Sequence, residues 1–316
     1  MRTLAGAALT GLGAHRPALR VDNLAIAERI DSSDEWIRER SGIITRGVSA
    51  PDETVVDMGT EAAAKALAAS GIDPADVGLV LLATCSMPGP LPGGSPEIAH
   101  RLGAVNAGSA DIGAGCAGFA YAVGLAADTV RTGTAQHVVV IGSEKLIPLV
   151  TPDDRGTAFL FGDGAGAAVV SRVETDTIGP VIWSHDGDQH GKLTIHGTPP
   201  RLYMEGQAIF RWAVTKLPDL CRRAADAAGV ALEDLKAFVP HQANLRITDA
   251  VVAKLGLPES VAIARDVVDS GNTSAASVPL ALAQLVDLGQ VSSGDAALLV
   301  GFGAGLTAAA QVVHVP

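Results

Sequence analysis

Ala66-Leu67-Ala68-Ala69-Ser70-Gly71, followed by Val77-Gly78-Leu79-Val80-Leu81-Leu82, has a counterpart far down the chain. There Ala224-Ala225-Asp226-Ala227-Ala228-Gly229 is followed by Leu235-Lys236-Ala237-Phe238-Val239. Each copy reads as a helix end, a glycine stop and a buried strand, because glycine takes the left-handed backbone that closes a helix and an unbroken apolar run suits a strand covered on both faces. Gly115-Cys116-Ala117 in the first half and Gly271-Asn272-Thr273 in the second each read as a glycine turn opening a helix. A buried strand follows each, Val138 to Gly142 and Ala296 to Gly301. Gly162-Asp163-Gly164-Ala165-Gly166 and Gly301-Phe302-Gly303-Ala304-Gly305 then precede the last strand of each copy. The reading is an α/β chain of two halves, residues 1–173 and 174–316, related by a pseudo-twofold axis.

The rest of the composition fits a large alanine- and glycine-rich core. Of 316 residues, 48% are hydrophobic but only 3% aromatic, and 36 are glycine. A net charge of −11 with no Lys/Arg run argues against nucleic acid or an anionic membrane as partner, so an acidic partner needs a local basic patch. Three scattered cysteines, Cys85, Cys116 and Cys221, form no CxxC pair. They point to a reducing, cytoplasmic location and away from a disulfide frame or a zinc site. Leu4 to Ala14 behind Arg2 could pass for a short signal core, yet it has one charge and continues into His15-Arg16-Pro17, so 4–12 reads as a strand. No stretch of about 18 strongly apolar residues is present to span a membrane.

The candidates for chemistry lie at the turns. Cys116 sits between small residues before a helical run, Phe119 to Arg131. A thiol at a helix N-terminus is favoured as thiolate, the nucleophilic form, although a buried structural cysteine in a packing turn has the same local pattern. His241, in Val239-Pro240-His241-Gln242-Ala243-Asn244, follows the second half's strand, and Asn272 occupies the turn matched to Cys116. If the twofold brings these ends together, a thiolate attacks a carbonyl while imidazole and amide stabilise negative charge, a set suited to acyl transfer. Ser or Asp in Asp31-Ser32-Ser33-Asp34 caps a helix bearing Trp36 and Arg40, where the indole either stacks a flat ligand or anchors the core. A helix spans Thr54 to Ser70 with Gly71 ending it, and Ser86 to Pro96 is a Pro/Gly-rich loop around Leu91. Cys85 and Cys221 read as core, and no histidine spacing suits a metal. The 162–166 turn lacks the Lys-Ser/Thr of a phosphate loop.

Several ordered motifs make the chain recognisable over nearly its whole length: Asp31 to Ile37, Gly115-Cys-Ala-Gly-Phe119, Asp154-Arg155-Gly156, Phe161 to Gly166, Pro240-His-Gln-Ala-Asn-Leu-Arg-Ile247 and Gly271-Asn-Thr-Ser-Ala-Ala-Ser277. In these the sequence resembles the β-ketoacyl-acyl-carrier-protein synthase III family of the thiolase superfamily. The resemblance implies a five-layered α-β-α-β-α fold, a homodimer, and decarboxylative condensation of an acyl-CoA primer with malonyl-acyl-carrier protein, which needs no cofactor or metal. It implies Cys116 as acyl acceptor with His241 and Asn272 as partners, and backbone N–H groups of Cys116 and Ala304 as oxyanion hole. It further implies Ser32, Trp36, Arg40, Arg155 and Asn244 along the CoA route, and Arg211, Arg246 and Lys254 as the carrier-protein docking surface.

Two departures from the family pattern bear on the primer. An aromatic residue that in many members closes the acyl pocket across the dimer interface is here Leu91, and the segment 187–200, where members build pocket wall, is short. Both lead us to expect a primer larger or more branched than acetyl. The chief alternative implied is a specialised-pathway acyltransferase or starter-unit synthase with a non-standard donor or acceptor. A degradative thiolase needs a second catalytic cysteine near the C-terminal glycine turn, and Leu298 to Thr307 has none. A type III polyketide synthase is longer, a papain-like protease expects other residues around its cysteine, and a non-catalytic partner subunit is expected to lack the nucleophile.

Overall fold

The computed structural model describes residues 5–316; Arg2 and Leu4, named in the N-terminal reading, lie outside them. Up to Val173 the chain forms β1 (Gly6–His15), β2 (Leu19–Asp22), α1 (Leu24–Ala27), α2 (Asp34–Ser41), β3 (Thr45–Val48), α3 (Val55–Ser70), β4 (Val77–Ala83), α4 (Ser95–Leu102), β5 (Gly108–Ile112), α5 (Gly118–Arg131), β6 (His137–Glu144) and β7 (Gly164–Val173). Beyond it come β8 (Ile182–Ser184), β9 (Leu193–His196), β10 (Arg201–Met204), α6 (Gly206–Ala228), β11 (Ala237–Pro240), α7 (Leu245–Leu255), β12 (Ala262–Ile263), α8 (Val267–Ser270), α9 (Ser277–Asp287), β13 (Ala296–Gly303) and β14 (Thr307–His314).

Local chemistry sets the helix bounds. Thr54 accepts the Asp57 N–H while the Asp57 carboxylate accepts from Thr54, a reciprocal cap that starts α3, and Gly71 at φ 69° ends it. Ser33 accepts the Trp36 N–H and starts α2, which carries Asp34 and Glu35 at its positive end and Arg38 and Arg40 at its negative end.

Two five-stranded mixed sheets result, ordered β1-β7-β6-β4-β5 and β8-β14-β13-β11-β12. In each, the three strands from the third position on run parallel and the first two pair antiparallel. Helices α5 and α9 lie between the sheets, their Phe119, Val123, Val278 and Leu282 packed with Val140 and Val170 of one sheet and Val239 and Leu299 of the other. On the outside α3 and α4 cover the first sheet and α6 and α7 the second. The layers are therefore α-β-α-β-α. The middle helices see sheet on both sides, which is why the run from Gly118 to Val130 is apolar almost all round.

The register of the repeat differs from the sequence reading. A 3₁₀ turn at Gly115–Ala117 precedes α5, and one at Ser274–Ala276 precedes α9. The counterpart of Cys116 is thus Ala275, three residues from Asn272. Gly115 and Ser274 are equivalent and share a left-handed backbone, φ 52° and 48°. Matching glycine to glycine predicts the wrong pairing because a serine holds the strained position here, at a cost of about 1–2 kcal/mol.

One buried cation ties the N-terminal segment to the site. Arg46, fully buried, donates to Asn23 Oδ1 at 2.7 Å, the Phe159 carbonyl at 2.9 Å and the Val21 carbonyl at 3.2 Å. Burial pulls its guanidinium down to about 10 against the pull of Asp22 and Asp34, so it stays charged at neutral pH. Arg46→Leu orphans those acceptors and is expected to destabilise the fold by about 3 kcal/mol, measured as a shift of the urea midpoint.

Candidate active site

Cys116, His241 and Asn272 line one cavity of about 430 Å³ whose walls are largely Leu, Ile, Phe and Met. Each arrives from a different place. Cys116 lies in the 3₁₀ turn between β5 and α5, and His241 directly follows β11, its N–H donating to the Val300 carbonyl of β13 at 2.6 Å. Asn272 follows α8 and is pinned like a strand residue, its N–H on the Leu160 carbonyl at 2.8 Å and its own carbonyl on the Gly162 N–H at 3.0 Å.

The thiol is 7% exposed, and burial pushes it up to about 12, with the Ser274 hydroxyl opposing and the nearby Glu144 carboxylate adding to the rise. The helix-end argument for a resting thiolate therefore loses to desolvation. Beside the thiol, the backbone of Gly115-Cys116 packs on that of Gly303-Ala304. A Cβ placed on Gly303 would lie 2.7 Å from the Cys116 nitrogen, and one on Gly115 would lie 3.3 Å from the Ala304 nitrogen. The absence of that Gly303 Cβ leaves the Cys116 N–H open to a substrate oxygen. Gly303→Ala is expected to cut the rate of Cys116 acylation by about 100-fold, read by quenched-flow mass spectrometry.

His241 is 2% exposed, and burial alone lowers it to about 3, so the ring is neutral at physiological pH. Because this lies below the unfolded value of 6.5, the unfolded chain takes up the extra proton and this group's stabilisation is lost as pH falls from 6.5 toward about 3. Its Nδ1 is 2.6 Å from Ser277 Oγ, which also accepts the Gln242 N–H at 3.3 Å. We assign the hydroxyl hydrogen to Nδ1, an assignment that leaves the ring proton on Nε2 as a donor. Phe302 packs edge-on against the ring at 4.9 Å. Asn272 is fixed in the same sense, because its Oδ1 accepts the Ser274 N–H at 2.9 Å and its Nδ2 is left to donate. A neutral imidazole N–H and an amide N–H can together hold an oxyanion. Ser277→Ala frees the tautomer and is expected to slow any step that uses the Nε2 donor about tenfold, near 1.4 kcal/mol, read as malonyl-carrier-protein decarboxylation.

A second cavity, about 580 Å³, opens outside the first and shares Met204 with it. Trp36, Arg40, Arg155, Asn244, Arg211 and Arg246 line it; Ser32 does not. Trp36 is half-buried and combines both readings of the indole: its ring meets Phe159 edge-on at 5.2 Å and carries the guanidinia of Arg155 at 5.1 Å and Arg40 at 5.7 Å. Asn244 caps α7 through the Ile247 N–H. Arg211 and Arg246 are exposed on α6 and α7, and exposed Lys254, outside the cavity, donates to the Val214 carbonyl at 2.9 Å.

Leu91 is 86% exposed and does not line its own chain's cavity. Cys85, read from the sequence as core, lines the cavity beside Cys116, whereas Cys221 is fully buried. Leu193, Thr194 and Ile195 of β9 and Leu202 and Met204 of β10 supply a wall from the 187–204 region. Sequence reasoning missed Ser277, Ser274 and Phe302. Among the described residues no group of three or more His, Cys, Asp or Glu is gathered to hold a metal.

A buried thiol with an adjacent N–H pair, and two neutral donors across the same cavity, define a thiol-dependent acyltransferase site on a thiolase-type fold. Residues 110–187 match the family described as 3-Oxoacyl-[acyl-carrier-protein (ACP)] synthase III, and residues 225–315 match its C-terminal counterpart. A relative named Beta-ketoacyl-[acyl-carrier-protein] synthase III 1 from Streptomyces coelicolor is 47% identical, covering 98% of this chain and 96% of its own. One named Beta-ketoacyl-[acyl-carrier-protein] synthase III from Streptomyces glaucescens is 50% identical at the same coverages of 98% and 96%. Among solved structures, a priming β-ketosynthase from a polyketide biosynthetic pathway matches with a TM-score of 0.98 at 44% identity, over 100% of this chain and 98% of that one. The 3-oxoacyl-acyl-carrier-protein synthase III of Aquifex aeolicus matches with a TM-score of 0.94 at 35% identity, over 98% of this chain and 100% of that one. The chain belongs to the β-ketoacyl-acyl-carrier-protein synthase III family, whose members are acyltransferases.

Proposed function

We propose that the protein initiates fatty-acid or polyketide synthesis by condensing an acyl-CoA primer with malonyl-acyl-carrier protein. The observation that carries this is the convergence of Cys116, His241 and Asn272 on one cavity in a chain of this family. Cys116 takes the acyl group, with its own N–H and that of Ala304 holding the carbonyl oxygen as CoA leaves. Malonyl-carrier protein then places its thioester oxygen on His241 Nε2 and Asn272 Nδ2. Loss of CO₂ leaves an enolate whose negative oxygen these two donors stabilise. Its carbon attacks the acyl-Cys116 carbonyl, and β-ketoacyl-carrier protein departs. The chemistry uses no cofactor.

Trp36, Arg40, Arg155 and Asn244 form the route for CoA, the indole and guanidinia offering a stacking surface beside cations for phosphate. Ser32 belongs to the same end of the chain at the cap of α2. Arg211, Arg246 and Lys254 give an otherwise acidic protein a basic face for an acidic carrier protein.

The halves 1–173 and 174–316 act as one unit, and the enzyme works in the cytoplasm as a homodimer. What supports the dimer is β5, unpaired on its outer edge with Gly108 to Asp111 exposed. Asp111 accepts the N–H groups of Gly94 at 2.8 Å and Ser95 at 2.9 Å, which holds the Leu91 loop on that same face. Two copies joined through β5 would carry each Leu91 toward the other's pocket. No helix among the described residues is long and apolar enough to cross a membrane.

A leucine in place of a bulkier side chain, with a short 187–200 segment, favours a primer larger or more branched than acetyl. Likeness to a polyketide priming enzyme favours, as the second reading, a starter-unit synthase of a specialised pathway. Incubation with malonyl-carrier protein and a panel of acetyl-, isobutyryl- and longer acyl-CoAs tests both. Branched or longer β-ketoacyl-carrier protein is the expected product, and a strict acetyl preference would contradict the primer assignment.

A further inference from the structure

In the proposed reaction a thioester forms at Cys116 in the inner cavity, while the CoA that delivers the acyl group lies along Trp36, Arg40 and Arg155 in the outer one. The arm between them must pass whatever lies where the two cavities meet. Sequence neighbours divide between the walls: Leu160, Phe210 and Asn244 line the outer cavity, and Phe161, Ile209 and Ala243 the inner one. The lining thus changes over within one residue at three places in the chain, which mark a neck between the cavities. Met204, at the end of β10, is the one residue among those described that lines both.

Its surroundings leave the side chain room to move. Met204 is half-buried and pairs across the hairpin with Leu193, in a two-stranded sheet that joins neither five-stranded sheet. It packs against two separate apolar clusters, one holding Ile209, Phe238 and Phe302 and the other Phe159 and Phe161, so it covers a seam between cores. On the outer side its Cε is 3.8 Å from the point that a Cβ on Gly206 would occupy. Apart from its own turn of helix and its chain neighbours, that Cβ would meet nothing else within 4 Å. The glycine therefore leaves open space beside the methyl group. An unbranched thioether with three rotatable bonds can turn into such a space, whereas a β-branched side chain is stiff at χ1.

We propose that Met204 gates the neck. The thioether turns toward Gly206 as a thioester arm reaches in to Cys116, and it returns across the neck when CoA has left, shutting water out while Cys116 carries the acyl group. The need for this is chemical. In the proposed mechanism the Cys116 and Ala304 N–H groups polarise the acyl carbonyl for attack by carbon, and they polarise it for water as well. Water would add to that carbonyl and break the acyl carbon–sulfur bond, giving the free acid and restoring the Cys116 thiol. Condensation therefore wins over hydrolysis only if water is kept from the cavity between the two half-reactions. This role rests on acyl transfer by Cys116.

The test is the lifetime of the acyl-enzyme. Wild type, Met204→Ala and Met204→Phe are loaded with acetyl-CoA or isobutyryl-CoA, freed of excess CoA by desalting, and followed by intact-protein mass spectrometry at pH 7. Truncation to Ala should leave loading as fast as in wild type but shorten the life of the adduct about tenfold or more, with free acid released. The larger, stiffer Phe side chain should do the reverse, loading about tenfold more slowly or worse at saturating acyl-CoA and keeping its adduct as long as wild type does. A substitution that merely loosened the hairpin would shorten the lifetime in both variants. An adduct on Met204→Ala as long-lived as that of wild type overturns the proposal. So does unslowed loading of Met204→Phe, which carries the test alone should Met204→Ala not fold. A wild type that forms no adduct would instead contradict acyl transfer itself.

Discussion

Cys116→Ala is expected to abolish the acyl-enzyme and to lower condensation on the order of 10⁴-fold or more, the scale seen when a covalent nucleophile is removed from a preorganised site. The loss should be confined to acyl transfer. The two neutral donors, His241 Nε2 and Asn272 Nδ2, are fixed by Ser277 and by the Ser274 N–H, not by the thiol. Decarboxylation of malonyl-carrier protein should therefore continue in Cys116→Ala and yield acetyl-carrier protein, measured as CO₂ release without β-ketoacyl product. The substitution removes only a sulfur from a buried turn, so the fold should survive it.

His241→Ala is expected to have the opposite signature. It removes one of the two donors for the enolate, a loss of about 3–4 kcal/mol, or roughly 10²–10³-fold in decarboxylation and condensation. In the proposed mechanism acylation of Cys116 uses the backbone N–H groups of Cys116 and Ala304, so it should fall far less. The imidazole also packs against Phe302, so part of any stability change belongs to that lost contact. Asn272→Ala should resemble His241→Ala, and the double variant should cost less than the sum, since both donors act on one oxygen. Single-turnover acylation and CO₂ release, measured side by side for each variant, separate the two steps.

The features legible in the sequence are those with local chemical causes. Thr54 and Gly71 bound α3 because a cap and a left-handed glycine act within a turn, and the apolar run Val77 to Thr84 reads as a buried strand, which forms over Val77–Ala83. Cys116, His241 and Asn272 stand at turns after recognisable elements, so the repeat and the family motifs together place them. The short strands β8, β9 and β10 escape because half-exposed runs of three or four residues carry no periodicity. Ser277 looks like any residue at a helix start until His241 is folded against it. Glu144 is harder still, since a glutamate at a strand end reads as surface, and only the fold shows it sealed between the Thr84–Ser86 loop and the Ser274 turn. The pairing of Cys116 with Asn272 misses by three residues because Ser274 occupies a backbone position that sequence logic reserves for glycine. Leu91 has no place in the site of a single chain, because it is 86% exposed and does not line the cavity around Cys116.

The proposed reaction depends most on Cys116 being the residue that carries the acyl group. Intact-protein mass spectrometry after incubation with the acyl-CoA panel, followed by peptide mapping, tests this directly. The result predicted is a single added acyl mass on the peptide containing Cys116, absent from Cys116→Ala and discharged by malonyl-carrier protein. No adduct with any donor, or an adduct on Cys85 instead, would contradict it.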